Sequence, residues 1–305
     1  MGIWRALRLL VVTLIAASTS AVAGPLVEQP YRVAYGDRLT TQIYLNGQGP
    51  YEFLLDTASS RTVLYEHTRA ALGLVPVSQE RIKVFTTSGV TEALPYELKQ
   101  LGLSGTAIDN LKVITIADPV NATDEPDGIL GIDVLQNYLV VLDRPVERLR
   151  LYTPDTPVPA PFTKGNSALL EARALPGIGS QFWFFHAFIQ YKMAPALLDL
   201  GAGLTIINWR YALFMGFSQT GFPGPPEELR DAVGKRTPVI KATNMAIDFA
   251  GRRWSRQDVL IADAKLFSLL GLADTQASII GPGLLKDDSI AIDFRNHRLY
   301  VAPRH

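Results

Sequence analysis

The feature that most restricts this chain is a pair of matching segments. Phe53-Leu54-Leu55-Asp56-Thr57-Ala58 and Ala196-Leu197-Leu198-Asp199-Leu200-Gly201 each read as an apolar strand, an aspartate and a small-residue turn, 143 positions apart. Apolar pairs follow at Val63-Leu64 and Ile206-Ile207. Further on, Gly128-Ile129-Leu130-Gly131 is answered by Ser278-Ile279-Ile280-Gly281, 150 positions apart. Asp143 and Asp293 each lie twelve residues past the last glycine of that motif and open a strand–turn–strand ending at Tyr152 or Tyr300. Between these landmarks, Gly89 and Asp118 match Gly234 and Asp263. The order is kept and the offset drifts only from 143 to 150. Five matches in register point to one unit used twice.

Most of the chain reads as short strands, apolar runs bounded by Gly, Pro, Asn and Asp. Gln42 to Leu45 before Asn46-Gly47, Tyr51 to Leu55, Leu111 to Ile116 and Tyr138 to Leu142 are examples. Helical periodicity is limited to short stretches, such as Glu66–Leu72 and Trp209–Met215. The expected class is therefore mainly β. The run Phe182-Trp183-Phe184-Phe185 is expected in the core or between lobes. Four prolines between Pro154 and Pro161 predict an extended linker. Gly221 to Pro226 has no counterpart in the first copy and reads as a surface insertion. At the start, Arg5 and Arg8 precede the apolar run Leu9–Ala17, and Ala21-Val22-Ala23 fits a cleavage site, so a secretory signal peptide is expected. Its apolar part is shorter than the roughly 20 residues a membrane span needs. The predicted organisation is 1–23 signal peptide, 24–153 first lobe, 154–166 linker and 167–305 second lobe. The expected location is outside the cytoplasm, periplasmic or secreted, with no stable membrane anchor after cleavage.

Composition narrows the chemistry. The 305 residues contain no cysteine, which removes thiol nucleophiles, disulfides and Cys-based metal sites. Twenty-nine basic residues balance 29 acidic ones, so nothing points to nucleic acid. His67, His186, His297 and His305 show no ligand spacing, and no metal or other cofactor is expected. No Gly-x-Ser-x-Gly elbow occurs.

The two aspartates carry the functional expectation. Each ends an apolar strand at a tight turn. A pseudo-twofold arrangement of the two copies would bring Asp56 and Asp199 together. Two carboxylates that close share one proton. Such a pair can draw a proton from water with one member and donate to a carbonyl oxygen with the other. Asp56-Thr57-Ala58-Ser59-Ser60 with Asp127-Gly128-Ile129-Leu130-Gly131 resembles the first lobe of the aspartic proteases, the superfamily of pepsins and retropepsins. Asp199-Leu200-Gly201-Ala202 with Ile279-Ile280-Gly281 resembles the second. The likeness is to bacterial retropepsin-like lobes in tandem. It covers nearly all of 30–303 and implies a bilobal acid-protease fold with Asp56 and Asp199 catalytic. Thr57, Ser59 and Gly201 would support them, Thr57 as a brace and Ser59 by orienting Asp56. It also implies a flap, for which Thr87, Ser88 and Gly89 are the candidates, with 232–235 as counterpart. A peptide or protein would be the substrate, and a monomer is the expected unit. Asp127 is expected to brace its loop, and Asp143 and Asp293 to form turns. Asn121-Ala122-Thr123 fits a glycosylation acceptor.

Two departures matter. Ala58 stands where the family has Gly, and Leu200 where it has a bracing Thr. They leave open a second expectation, an inactive relative that binds peptides or partner proteins. A third, a β-rich envelope structural protein, would require the carboxylates to lie more than about 6 Å apart. Leu200→Thr is expected to maintain or raise activity by restoring the brace.

Overall fold

The computed structural model describes residues 24–86, 89–118, 126–174, 181–219, 227–230 and 236–302. Two large sheets dominate, one of thirteen strands and one of eight. The chain is a mainly β, bilobal aspartic-protease fold.

Each lobe is built around the same crossing of strands. In the first, Gln48–Leu55 runs parallel to Gly128–Leu130, with Leu54 opposite Ile129 and Leu55 opposite Leu130. In the second, Lys192–Leu198 runs parallel to Ser278–Ile280, with Leu197 opposite Ile279 and Leu198 opposite Ile280. The apolar-apolar-Gly motifs therefore lie beside the strands that end in the two aspartates. Asn46 and Gly47, both at positive φ, make the tight hairpin into Gln48–Leu55, a conformation these residue types adopt at little cost. Gln190 and Tyr191 hold the same positive-φ turn in the second lobe. Nothing in their residue types announces it. Two of the short helices, Glu66–Ala71 and Trp209–Phe214, fall where the periodicity placed them, whereas it did not mark Ile132–Leu135 or Lys265–Leu269.

The lobes meet in a shared sheet. Its strands run, in order, Ser167–Leu169, Arg298–Val301, Ile290–Asp293, Leu139–Asp143, Arg148–Tyr152 and Val27–Val33. The seam is the antiparallel pairing of Leu139–Asp143 with Ile290–Asp293, in which Val141 faces Ala291. These two residues are 150 positions apart, so each is the other's counterpart in the repeat. A pseudo-twofold axis passes between them.

One apolar cluster spans both lobes, including Leu55, Leu130, Leu198, Leu200 and Ile280. The aromatic run 182–185 alternates along its strand: Trp183 and Phe185 enter this cluster, and Phe182 and Phe184 enter a second one within the second lobe. The segment 154–166 differs from a plain extended linker. Phe162–Lys164 forms a 3-10 turn, and Phe162 is buried beneath the seam with Leu139, Val141 and Ala291. An aromatic residue can leave water there because the shared sheet offers an apolar underside. No helix among the described residues is long and apolar enough to cross a membrane. The expected signal peptide, the 221–226 insertion and the Asn121 acceptor lie outside the described residues.

Candidate active site

Asp56 and Asp199 sit in equivalent places. The Asp56 N–H donates to Leu130 O at 3.1 Å, and the Asp199 N–H donates to Ile280 O at 3.0 Å. Each strand end is thereby tied to the apolar-apolar-Gly strand next to it. Glycine is needed there because the turn that follows each aspartate lies against it. A methyl group on Gly131 would come within 2.5 Å of Arg61 O, and one on Gly281 would strike Ala202 O.

The two carboxyl groups are within hydrogen-bonding range of each other. Asp199 is 5% exposed, whereas Asp56 is half-buried. Burial raises the pKa of Asp56, against the pull of N–H groups from Ala58 and Ser59. Burial, and then the charge of Asp56, push Asp199 well above the ordinary carboxylate range. Its Oδ1 accepts from Gly201 N at 2.8 Å and Ala202 N at 3.0 Å. Ala58 N donates to Asp56 Oδ1 at 2.8 Å. A pair so close, with one member this desolvated, disfavours double ionisation and favours sharing one proton.

The supporting residues divide. Thr57 reaches across the seam: its hydroxyl donates to Leu198 O at 2.7 Å and accepts from Leu200 N at 3.1 Å. Leu200 makes no reciprocal grip, since its side chain is hydrocarbon and fully buried. Gly201 is where Asp56 packs, and a methyl group there would lie 2.5 Å from its Cγ and Oδ2. The Ala58 side chain instead packs against the second lobe's own apolar cluster. Ser59 corrects the expectation for its side chain. Its hydroxyl donates to Arg61 O at 2.8 Å, and only its backbone N–H reaches Asp56. A serine in a turn finds the nearby carbonyl before a more distant carboxylate.

The segments on either side of the flap candidates pair as a hairpin, Ile82–Thr86 with Gly89–Leu103, in which Thr86 faces Gly89. Thr87 and Ser88 lie outside the described residues, as does the counterpart stretch 232–235. The hairpin leans on the second lobe's helix Lys265–Leu269.

Several residues acquire roles that spacing alone does not reveal. Asp118 accepts from the His67 N–H at 3.1 Å at the start of the first lobe's helix, and Asp263 accepts from the Trp209 N–H at 3.2 Å in the second. The repeat contained both landmarks, and N-terminal capping is their purpose. Asp127 braces its loop by accepting from Glu52 N at 2.7 Å. His67 bridges Asp118 at 2.7 Å and Asp127 at 3.0 Å through its two ring nitrogens. Arg38 places positive charge near Asp56. Asp293 forms a turn with Asn296, and Asp143 pairs with Arg150.

Residues 41–134 match the family model described as aspartyl protease. No curated protein matches the chain. The matched stretch begins in the strand before Asn46-Gly47 and ends just beyond Gly131, so it encloses Asp56, Thr57 and the hairpin. The first lobe carries an aspartyl protease domain, which places this half of the site in the aspartic protease superfamily.

Proposed function

We propose that the protein is an exported aspartic endopeptidase that hydrolyses peptide bonds with Asp56 and Asp199. The observation that carries this reading is the pair of adjacent, desolvated carboxyl groups at matching strand ends. Asp199, the more buried, holds the shared proton. Asp56, nearer solvent and the charge of Arg38, is the base. A water between them gives a proton to Asp56 as its oxygen attacks the peptide carbonyl carbon. Asp199 gives its proton to the carbonyl oxygen, so the tetrahedral diol forms without a free oxyanion. Asp56 then protonates the leaving nitrogen as the C–N bond breaks, and a diol proton returns to Asp199. The dyad ends as it began. The substrate lies extended beneath the hairpin of residues 82–103, adding as a strand.

The test is peptide hydrolysis by Asp56→Asn and Asp199→Asn, each in the full chain. Both are expected to abolish turnover, and the parent is expected to show a bell-shaped pH dependence and inhibition by a statine-type mimic. Turnover surviving in either variant sinks the mechanism. The one-sided brace, with Leu200 opposite Thr57, favours a second reading in which the cleft binds peptides without cutting them. Tight binding of an extended peptide with no turnover across acidic and neutral pH would establish it.

A further inference from the structure

The two lobes hold their glycine turns differently. In the first, Asp133 lies two residues past Gly131 and accepts from both the N–H and the hydroxyl of Thr62, each at 2.9 Å. That bond pins the turn to the strand after Asp56. The repeat puts Gly283 in place of Asp133 and Thr205 in place of Thr62. Gly283 has no carboxylate to offer. Thr205 Oγ1 is buried with no hydrogen-bond partner among the described residues. Nor could an aspartate be restored, since a methyl group on Gly283 would sit 2.6 Å from Gly203 O. The second lobe has lost its internal pin.

A different side chain reaches that turn from the other lobe. Arg144 follows the seam strand Leu139–Asp143. Its Nη2 donates to Pro282 O at 2.8 Å and its Nε to Leu285 O at 3.0 Å. Its backbone N–H donates to Ser289 Oγ at 3.0 Å. Pro282–Leu285 is the 3-10 helix directly after Gly281, and Leu285 O also accepts the Asp288 N–H at 3.0 Å. A guanidinium fork makes these bonds charge-assisted and fixed in direction. The counterpart of Arg144 is Phe294, buried against Trp183 at a ring-centre distance of 5.3 Å, so the contact has no mirror image. The gripped helix is close to the chemistry. Ile280 O accepts the Asp199 N–H, and the Gly283 N–H donates to Gly203 O at 3.1 Å, on the far side of the Asp199 turn.

We propose that Arg144 is a positioning residue for Asp199. Reaching across the seam to Pro282 and Leu285, it supplies the hold on the second glycine turn that Asp133 supplies within the first. With Thr57, it makes the placement of the second aspartate a task of the first lobe.

The proposal rests on the peptidase reading for its kinetic readout only. Arg144→Met and Arg144→Lys are made in the full chain, with 13C-labelled aspartate carboxyls followed by NMR. In Arg144→Met, kcat is expected to fall about 100-fold with KM little changed, the size of effect a misplaced catalytic group produces. The limbs of the kcat–pH profile and the titration of Asp199 should move, and Arg144→Lys should fall between it and the parent. A purely stabilising residue would lower the melting temperature and leave both pH readouts in place. A folded Arg144→Met with parental kcat, pH profile and Asp199 titration overturns the proposal. If Arg144→Met does not fold, Arg144→Lys decides by the same readouts. If the parent cuts no peptide, the peptidase reading fails, and the Asp199 titration alone decides: unmoved, it overturns the positioning role.

Discussion

Gly201 and Ala58 occupy matching turns yet tolerate opposite things. Gly201→Ala would drive a methyl group into the Asp56 carboxyl, and an overpacked site of this kind costs about 1–3 kcal/mol. Urea unfolding should show that loss, and peptide turnover should fall with it. Ala58→Gly removes only a methyl group from the second lobe's cluster and should retain activity. Thr57→Val would strand two buried backbone groups, Leu198 O and Leu200 N. An unfolding free energy lower by on the order of 1–3 kcal/mol is expected. Leu200 adds a cost in stability to the expectation that Leu200→Thr maintains or raises activity. Its side chain lies inside the apolar cluster that spans both lobes, so Leu200→Thr would bury a hydroxyl and open space there. The variant is expected to lose stability, on the order of 2 kcal/mol or more, in the same unfolding measurement.

Among the elements, those defined by a local run of residues were readable and those defined by long contacts were not. Strand, aspartate and small turn are adjacent in sequence, so the site and its glycine partners could be read directly. The helices Glu66–Ala71 and Trp209–Phe214 followed from periodicity for the same reason, but Ile132–Leu135 and Lys265–Leu269, barely one turn each, show no period. Arg144 meets Pro282 across 138 positions, through a strand register that no local pattern encodes. The His67 bridge is of this second kind. It joins the first lobe's helix to Asp118 and to Asp127, the latter directly before Gly128–Leu130. Only an imidazolium can donate to both carboxylates at once. Burial works against its charge, but Asp127 and Asp118 outweigh it and raise the pKa of His67. The stabilisation is therefore fully present below the ordinary value of 6.5 and is lost as pH rises through the higher folded value. Other charges on these elements, Glu66 and Arg69, pair with each other. An NMR titration should find His67 above 6.5 in the parent and lower in Asp127→Asn.

For the whole molecule, these titrations set the pH of greatest stability. The dyad carboxyls have raised pKa values, so their unfolded forms lose protons first. Folding is disfavoured progressively as pH climbs above the ordinary 3.8. The His67 contribution fades higher still. In the other direction, His67 holds Asp118 below its ordinary value despite the opposing effect of burial, and that stabilisation is lost as pH falls through its folded value. The urea midpoint is expected to peak below neutrality. Asp199→Asn removes a carboxyl that must otherwise share its site with charge, and should be more stable than the parent at pH about 7 while losing turnover. A lower midpoint for that variant would contradict the desolvated-dyad picture.

The facing of Val141 with Ala291 has a mechanical consequence. Strands hydrogen-bonded through the seam cannot pivot about it without breaking a ladder, so the floor beneath the two aspartates is stiff. Any widening between the lobes must come from above, where the first lobe's hairpin only rests on the helix Lys265–Leu269. Amide exchange should accordingly be slowest along Leu139–Asp143 and Ile290–Asp293 and faster along Ile82–Thr86.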